Sequence, residues 1–263
     1  MIRNFNLLGF ILCICLSACY NIDSDQPEGV RIVSLSPGIT ATIEDIGFGE
    51  LVVGRSSFCQ AVDKDVPVVG DLLEIDYERL LRLAPSDVFV QTTASGVDEH
   101  LARLAEDGHF TLHPWRVDRL EDIQLLHADL LQMLGGDVIA LELPTGEDVG
   151  ELPASVLMMT TGSEGNPGLC FGRQTYLGDI LELMGGTNAL QRDGWMTLSL
   201  EDIGKLHPEL IVVVSDSFIS DASLSTLKSL HIPITPFVHK DVLIPSSKIV
   251  DVASTLQQIV GAE

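Results

Sequence analysis

Four side chains in this sequence could do metal or acid–base chemistry, and each lies at the end of an apolar, β-branched run. His113 lies in "FTLHPW", His239 follows "ITPFV", Cys59 follows "LVVGRSSF" and Asp216 follows "LIVVVS". Imidazole, thiolate and carboxylate together would suit a transition metal or a haem iron. No tight spacing of the Cys-x-x-Cys or His-x-x-x-His kind supports that reading, so no resident metal site is expected. A tyrosine ligand for haem has few candidates, because the chain holds only Tyr20, Tyr77 and Tyr176. "TGSEG" around Ser163 has Thr161 where a nucleophile elbow needs its first glycine. Neither a G-x-G-x-x-G fingerprint nor a Walker-type loop occurs. No catalytic residue is assigned and no enzyme is expected. The nearest enzymatic reading is a chelatase or metal-dependent hydrolase built on His113, His239 and Cys59.

The elements that would position these residues form a repeat. "ERLLRLAPSDVFV" begins at Glu78 and "EDIGKLHPELIVV" at Glu201. Each has Glu, then apolar residues at helical spacing, then Pro seven positions later and a strand-like run. Upstream of each lies a further helical pattern ending in Gly, "ITATIEDIGFG" and "TYLGDILELMGG". Strands are expected at "RIVSLS", "LVVGRS", "DVFVQT" and "FTLHPW", then at "SVLMMT", "LIVVVS" and "ITPFV". Helices such as "GVDEHLARLAEDG" and "LEDIQLLHADLLQML" alternate with them. The fold class is therefore α/β: two similar lobes, each a mostly parallel sheet flanked by helices. Residues 31–118 form the N-terminal lobe, 119–154 a single short linker and 155–263 the C-terminal lobe. In such sheets ligands sit beyond the carboxyl ends of the strands. Those ends here read "SPG", "SSF", "QTTASG", "HPW", "TTGSEGNPG", "SDS" and "HK", rich in hydroxyls and glycines.

Composition narrows the partners. The 263 residues are 46% hydrophobic and carry a formal net charge of −23. That field repels nucleic acid and anionic membrane surfaces, and no run of Lys or Arg opposes it. Residues 1–18 have one Arg, an apolar run and small residues, the layout of a secretory signal. "LSAC", Leu16 to Cys19, resembles the bacterial lipobox, which implies cleavage before Cys19 and lipidation of its thiol. An ordinary signal peptide or an uncleaved anchor is the alternative. Residues 19–30 are polar and read as a tether of about 40 Å at full extension. Cys59 and Cys170 remain in the body, and in an oxidising compartment they either pair or stand as two independent thiols. Their places in opposite halves favour independence.

"RIVSLSPGITATIEDIGFGELVVGRSSFC", "VPVVGDLLEIDYERLLRLAPSDVFV" and "TYLGDILELMGGTNALQRDGWMTLSLEDIGKLHPELIVVV" together resemble the substrate-binding proteins of ABC importers for cobalamin, ferric siderophores and haem. The resemblance spans most of residues 30–240. It implies two lobes that clamp a ligand between them with little hinge closure. It also implies capture of a cobalt or iron chelate as cargo, with no intrinsic cofactor, and delivery to a permease–ATPase complex. The protein would be an extracytoplasmic monomer, held in the cell envelope by a lipid on Cys19. Glu78 and Glu201 match the family's two exposed acids, which would dock arginine pockets on the permease. The candidate ligand residues are position 35 and Pro37, at the strand end that runs into the Ser-Pro-Gly turn (Ser36, Pro37, Gly38), then Phe58, Gln91, Trp195 and His239. Leu72 and Gln91 stand where cobalamin-type clefts carry aromatics. Arg55, Arg116, Arg173 and Arg192 lie near strand ends and are candidates for an anionic siderophore. Where the family has a long inter-lobe helix, this chain reads "GGDVIALELPTGEDVGELPA", interrupted by Gly and Pro. That departure admits a second reading, a divergent binding-protein fold acting as an envelope interaction or sensory module without transport.

Overall fold

The computed structural model describes residues 29–71, 73–92, 95–144, 153, 155–162 and 168–260. The expected signal segment, Cys19, almost all of the tether, Leu72, and parts of the linker and of "TTGSEGNPG" lie outside the described residues. The N-terminal lobe comprises β1 (Ile32–Ser34), α1 (Pro37–Asp45), β2 (Val52–Ser56), β3 (Val68–Gly70), α2 (Tyr77–Arg82), β4 (Asp87–Gln91), α3 (Glu99–Glu106) and β5 (Thr111–Trp115). Its five strands are all parallel, in the order β3-β2-β1-β4-β5. Next comes α4 (Leu120–Leu134). The C-terminal lobe comprises β6 (Val156–Thr160), β7 (Leu169–Phe171), α5 (Tyr176–Leu183), β8 (Trp195–Thr197), α6 (Leu200–Lys205), β9 (Leu210–Ser215), α7 (Asp221–Lys228), β10 (Ile234–Val238) and α8 (Ile249–Val260). Its order is β10-β9-β6-β7-β8, with β7 and β8 antiparallel to their neighbours. The two-lobe α/β architecture expected from the sequence is thus present. Strands β3, β7 and β8 were not foreseen, because three residues are too few to show an alternation.

The repeat is structural. Asp76 and Ser199 each cap a short helix, accepting from the backbone N–H of Arg79 (2.9 Å) and Asp202 (3.1 Å). Leu80 and Ile203, at matching positions, are fully buried. Ala84 and His207, again matching, take left-handed φ values of 45° and 49° just before Pro85 and Pro208. That turn stops each helix and sends the chain into the buried strand β4 or β9.

One inner core joins the lobes. It gathers Ile32, Val52 and Phe89 of the first sheet, Met158, Val212 and Phe237 of the second, and the inner faces of α1, α4, α5 and α8. A separate cluster lies on the outer side of each sheet. The first half of the linker segment therefore belongs to the core: Ile123, Leu126 and Leu130 of α4 are fully buried. At 15 residues, α4 spans roughly 22 Å. It ends at Gly135, whose φ of 84° is the left-handed cap a glycine accepts at least cost. Residues 136–144 beyond it form neither helix nor strand. Among the described residues, no helix is long and apolar enough to cross a membrane.

Two polar fasteners bracket this core. The Arg119 guanidinium grips the Asp179 carboxylate of α5 through two bonds, at 2.7 and 2.8 Å, and Leu120 N–H donates to the same carboxylate at 2.9 Å. On the other side, Lys248 and Ser247, just before α8, bond the Asp45 carboxylate of α1.

Candidate functional site

A parallel sheet opens a crevice where its strand order reverses. In the N-terminal lobe the chain leaves β1 on one side for β2 and β3, then crosses to β4 on the other. The reversal therefore lies between the ends of β1 and β4, at Ser36-Pro37 and Gln91. In the C-terminal lobe it lies between β6 and β9, at Thr160 and Asp216. Both points open on one inter-lobe cavity of about 540 Å³. The N-terminal lobe lines it with Pro37, Gly38, Phe58, Gln60, Gln91 and Val117. The C-terminal lobe contributes Thr160, Phe171, Tyr176, Trp195 and Asp216, and the Leu243–Pro245 turn closes one side.

The N-terminal wall rests on a buried hydroxyl network. Ser34, Ser36, Thr40 and Ser56 are fully buried and Cys59 nearly so. Thr40 Oγ1 donates to Ser34 Oγ at 2.7 Å and lies 2.9 Å from Cys59 Sγ, which also meets Ser56 Oγ at 3.3 Å. Ser56 Oγ accepts the Phe58 N–H at 3.2 Å and so fixes the turn that lifts the Phe58 ring into the opening. Ser36 Oγ donates to Gln91 Oε1 at 3.2 Å, tying β1 to β4 across the switch point. With its oxygen engaged, Gln91 keeps its Nε2 hydrogens as donors; none of the described residues accepts them.

The C-terminal wall is more apolar. Trp195 stands opposite Phe171 in the β7–β8 ladder and remains 37% exposed, so its ring is available to a ligand. Tyr176 is buried, and its hydroxyl donates to Val242 O at 2.9 Å, which anchors the turn into 243–245. Burial holds its phenol well above the usual tyrosine range, so it stays neutral.

Of the residues expected at the ligand site, Pro37, Phe58, Gln91 and Trp195 meet around this cavity. Position 35 does not: Leu35 is fully buried in the outer core of the first sheet, because the β-pleat turns it away from the crevice. The serine of the Ser-Pro-Gly turn is Ser36, buried behind the wall and bonded to Gln91. His239 is not among the lining residues; its Nδ1 accepts the Asp241 N–H at 3.2 Å and its ring stacks beside Phe237. His113 bonds Asp87 at 2.7 Å on the edge of the first sheet. His113, His239 and Cys59 therefore do not converge, and among the described residues no group of three His, Cys, Asp or Glu is placed to hold a metal ion. Both cysteines are free and buried, in separate lobes. Gln60, Val117, Phe171, Tyr176 and the 243–245 turn escaped the sequence reading. Strand-end position could have found Gln60; nothing local marks the turn, which arrives from the far end of the chain.

Glu78 and Glu201 sit in the first turns of α2 and α6, with side chains 84% and 78% exposed. Each pairs with a cation one turn on, Arg82 and Lys205 respectively. Helix first turns in these lobes lie on the strand-end side, so both acids share the face that carries the cleft.

No protein-family model matches this chain, and no curated protein does. Solved structures do share its fold. The haem-binding protein HutB of Vibrio cholerae superposes with a TM-score of 0.70 at 20% identity, covering 87% of this chain and 98% of that one. A periplasmic haem-binding protein from Pseudomonas aeruginosa gives 0.67 at 18%, covering 88% and 93%. The vitamin B12 binding protein BtuF of Vibrio cholerae gives 0.65 at 17%, covering 88% and 96%. The chain thus has the two-lobe fold of periplasmic binding proteins. At these identities the likeness is one of fold.

Proposed function

We propose that the protein is a lipid-anchored solute-binding protein of an ABC importer, which captures a metal chelate between its lobes and delivers it to a permease. The observation that carries this reading is the 540 Å³ cavity at the facing switch points of two lobes, flanked by Phe58 from one and Trp195 from the other. Its size falls within the ~300–1,000 Å³ typical of small-molecule sites. Aromatic faces on opposite walls suit a flat or compact apolar guest such as a corrin, a porphyrin or a wrapped ferric chelate. The fold neighbours that bind haem or vitamin B12 support the cargo class. Cys19 would carry the lipid and leave the body tethered outside the cytoplasm. Glu78 and Glu201 would dock the permease, one carboxylate per lobe.

The test uses the mature body. Haemin, cyanocobalamin and ferric siderophores are titrated while tryptophan fluorescence is followed. Saturable quenching is expected, with a smaller amplitude in Trp195→Phe than in Trp115→Phe. Trp115 is not among the lining residues and packs edge-on to Phe89 at 5.2 Å. Glu78→Ala with Glu201→Ala should leave that titration unchanged and remove co-purification with the permease. Absence of saturable binding by any chelate would sink the reading.

A further inference from the structure

Among the described residues that line the cleft, one is charged. Asp216, just past β9, is exposed to the cavity, and among the described residues nothing takes its carboxylate. The remaining described lining is apolar, aromatic, hydroxyl or amide. The cations that the sequence offered are used elsewhere. Arg55 donates to the carbonyls of Ser56, Cys59, Lys64 and Val66 and so folds its own loop. Arg116 pairs with Asp118, and Arg173 with Asp193. Arg192 is not in the lining.

Lys240 and Lys248 come nearest. They lie in a side groove of about 390 Å³ that shares Pro37, Gln60, Asp216 and Ile244 with the cleft. Lys240 pairs with Asp241 at 3.3 Å and Lys248 with Asp45, while Glu44 adds a further carboxylate to the groove. Each lysine thus has a carboxylate of its own, and the groove sets Glu44, Asp216 and Asp241 against two lysines. The protein around them carries −23.

From this we infer that the cleft selects a chelate that is neutral or cationic as a whole. Its acceptor edge faces the Gln91 Nε2 hydrogens and its positive or donor-bearing end faces Asp216. The inference rests on the reading of the cleft as a ligand site. Its physical basis is simple. A guest bearing free carboxylates, such as a porphyrin with two propionates, would bring negative charge against an unpaired carboxylate in a partly desolvated crevice. A cation would gain the same interaction with the opposite sign. Gln91 supplies an uncharged donor, which orients carbonyl oxygens of a hydroxamate or amide without demanding a negative guest.

The experiment holds the coordination sphere constant and varies only charge. A ferric tris-hydroxamate with a free terminal amine, its N-acetyl form and its N-succinyl form present +1, 0 and −1 around the same iron core. Haemin and cyanocobalamin are titrated beside them as an anionic and a neutral macrocycle. Trp195 quenching is read at low and at high salt, for the full mature chain and for Asp216→Asn. Affinity should fall by roughly tenfold from the cation to the anion at low salt, less at high salt. Asp216→Asn should compress that ratio to roughly twofold. Cyanocobalamin should bind more tightly than haemin. Tighter binding of the anionic member in either comparison, or a charge order untouched by Asp216→Asn, overturns the inference and leaves the ligand site standing. Failure of every chelate to bind overturns both.

Discussion

Ser36 is the N-cap residue of α1, yet its hydroxyl does not cap that helix. Pro37 at the next position has no N–H to satisfy, and the Ser36 side chain turns instead to Gln91 across the sheet. A lost cap costs about 1 kcal/mol, so the position gives up helix stability for a fixed amide at the cleft wall. Ser36→Ala should free the Gln91 carboxamide to rotate and weaken ligand binding about two- to tenfold, the worth of one hydrogen bond of ~0.5–1.5 kcal/mol. An unchanged Kd would show that the hydroxyl does not orient Gln91. The thiols behave as core residues: burial pushes Cys170 up to about 11, so its reactive thiolate is scarce.

At the scale of elements, α4 carries both the linker and a titratable group. His127 lies on its buried face, and burial lowers its imidazole pKa below the ordinary value, an effect Asp45 partly offsets. The folded protein therefore resists a proton that the unfolded chain takes up near pH 6.5. The sign follows: below that pH the unfolded state binds more protons, so stability is full above it and falls on acidification. Denaturant midpoints should drop between pH 7 and pH 5. His127→Gln should flatten that slope, and an unaltered slope would assign it to other groups. The carboxylates whose pKa is lowered, among them Asp98 and Asp221, add their effect only at more acidic pH, as they protonate.

For the molecule as a whole, the lobes are joined by a shared core and by the Arg119–Asp179 and Asp45–Lys248 pairs. Gly38 lets α1 pass close to the C-terminal segment: a Cβ there would lie 2.2 Å from Pro245 O, on backbone that cannot swing aside. Gly38→Ala should force α1 from the C-terminal segment, cost about 1–3 kcal/mol by overpacking and widen the cavity. A lower denaturant midpoint together with weaker chelate binding is the expected pair of results. A midpoint equal to that of the parent would mean the two segments separate freely.

The repeat was legible because it is local. Glu, a helical apolar spacing, a left-handed turn and Pro before a β-branched run dictate a short helix feeding a strand wherever they occur, and they occur twice. The signs of strand-end chemistry were also in the sequence, since hydroxyls and glycines gather where strands stop. Which of those ends face one another was not. Pro37 and Asp216 share a cavity only because two sheets reverse their strand order toward each other, and His239 misses it although its strand ends on the same side. The three-residue strands β3, β7 and β8, and the 243–245 turn, exist by pairing and packing with distant segments. Local pattern fixes the elements through backbone sterics and burial; long-range packing alone decides which side chains meet, and therefore what the cleft can hold.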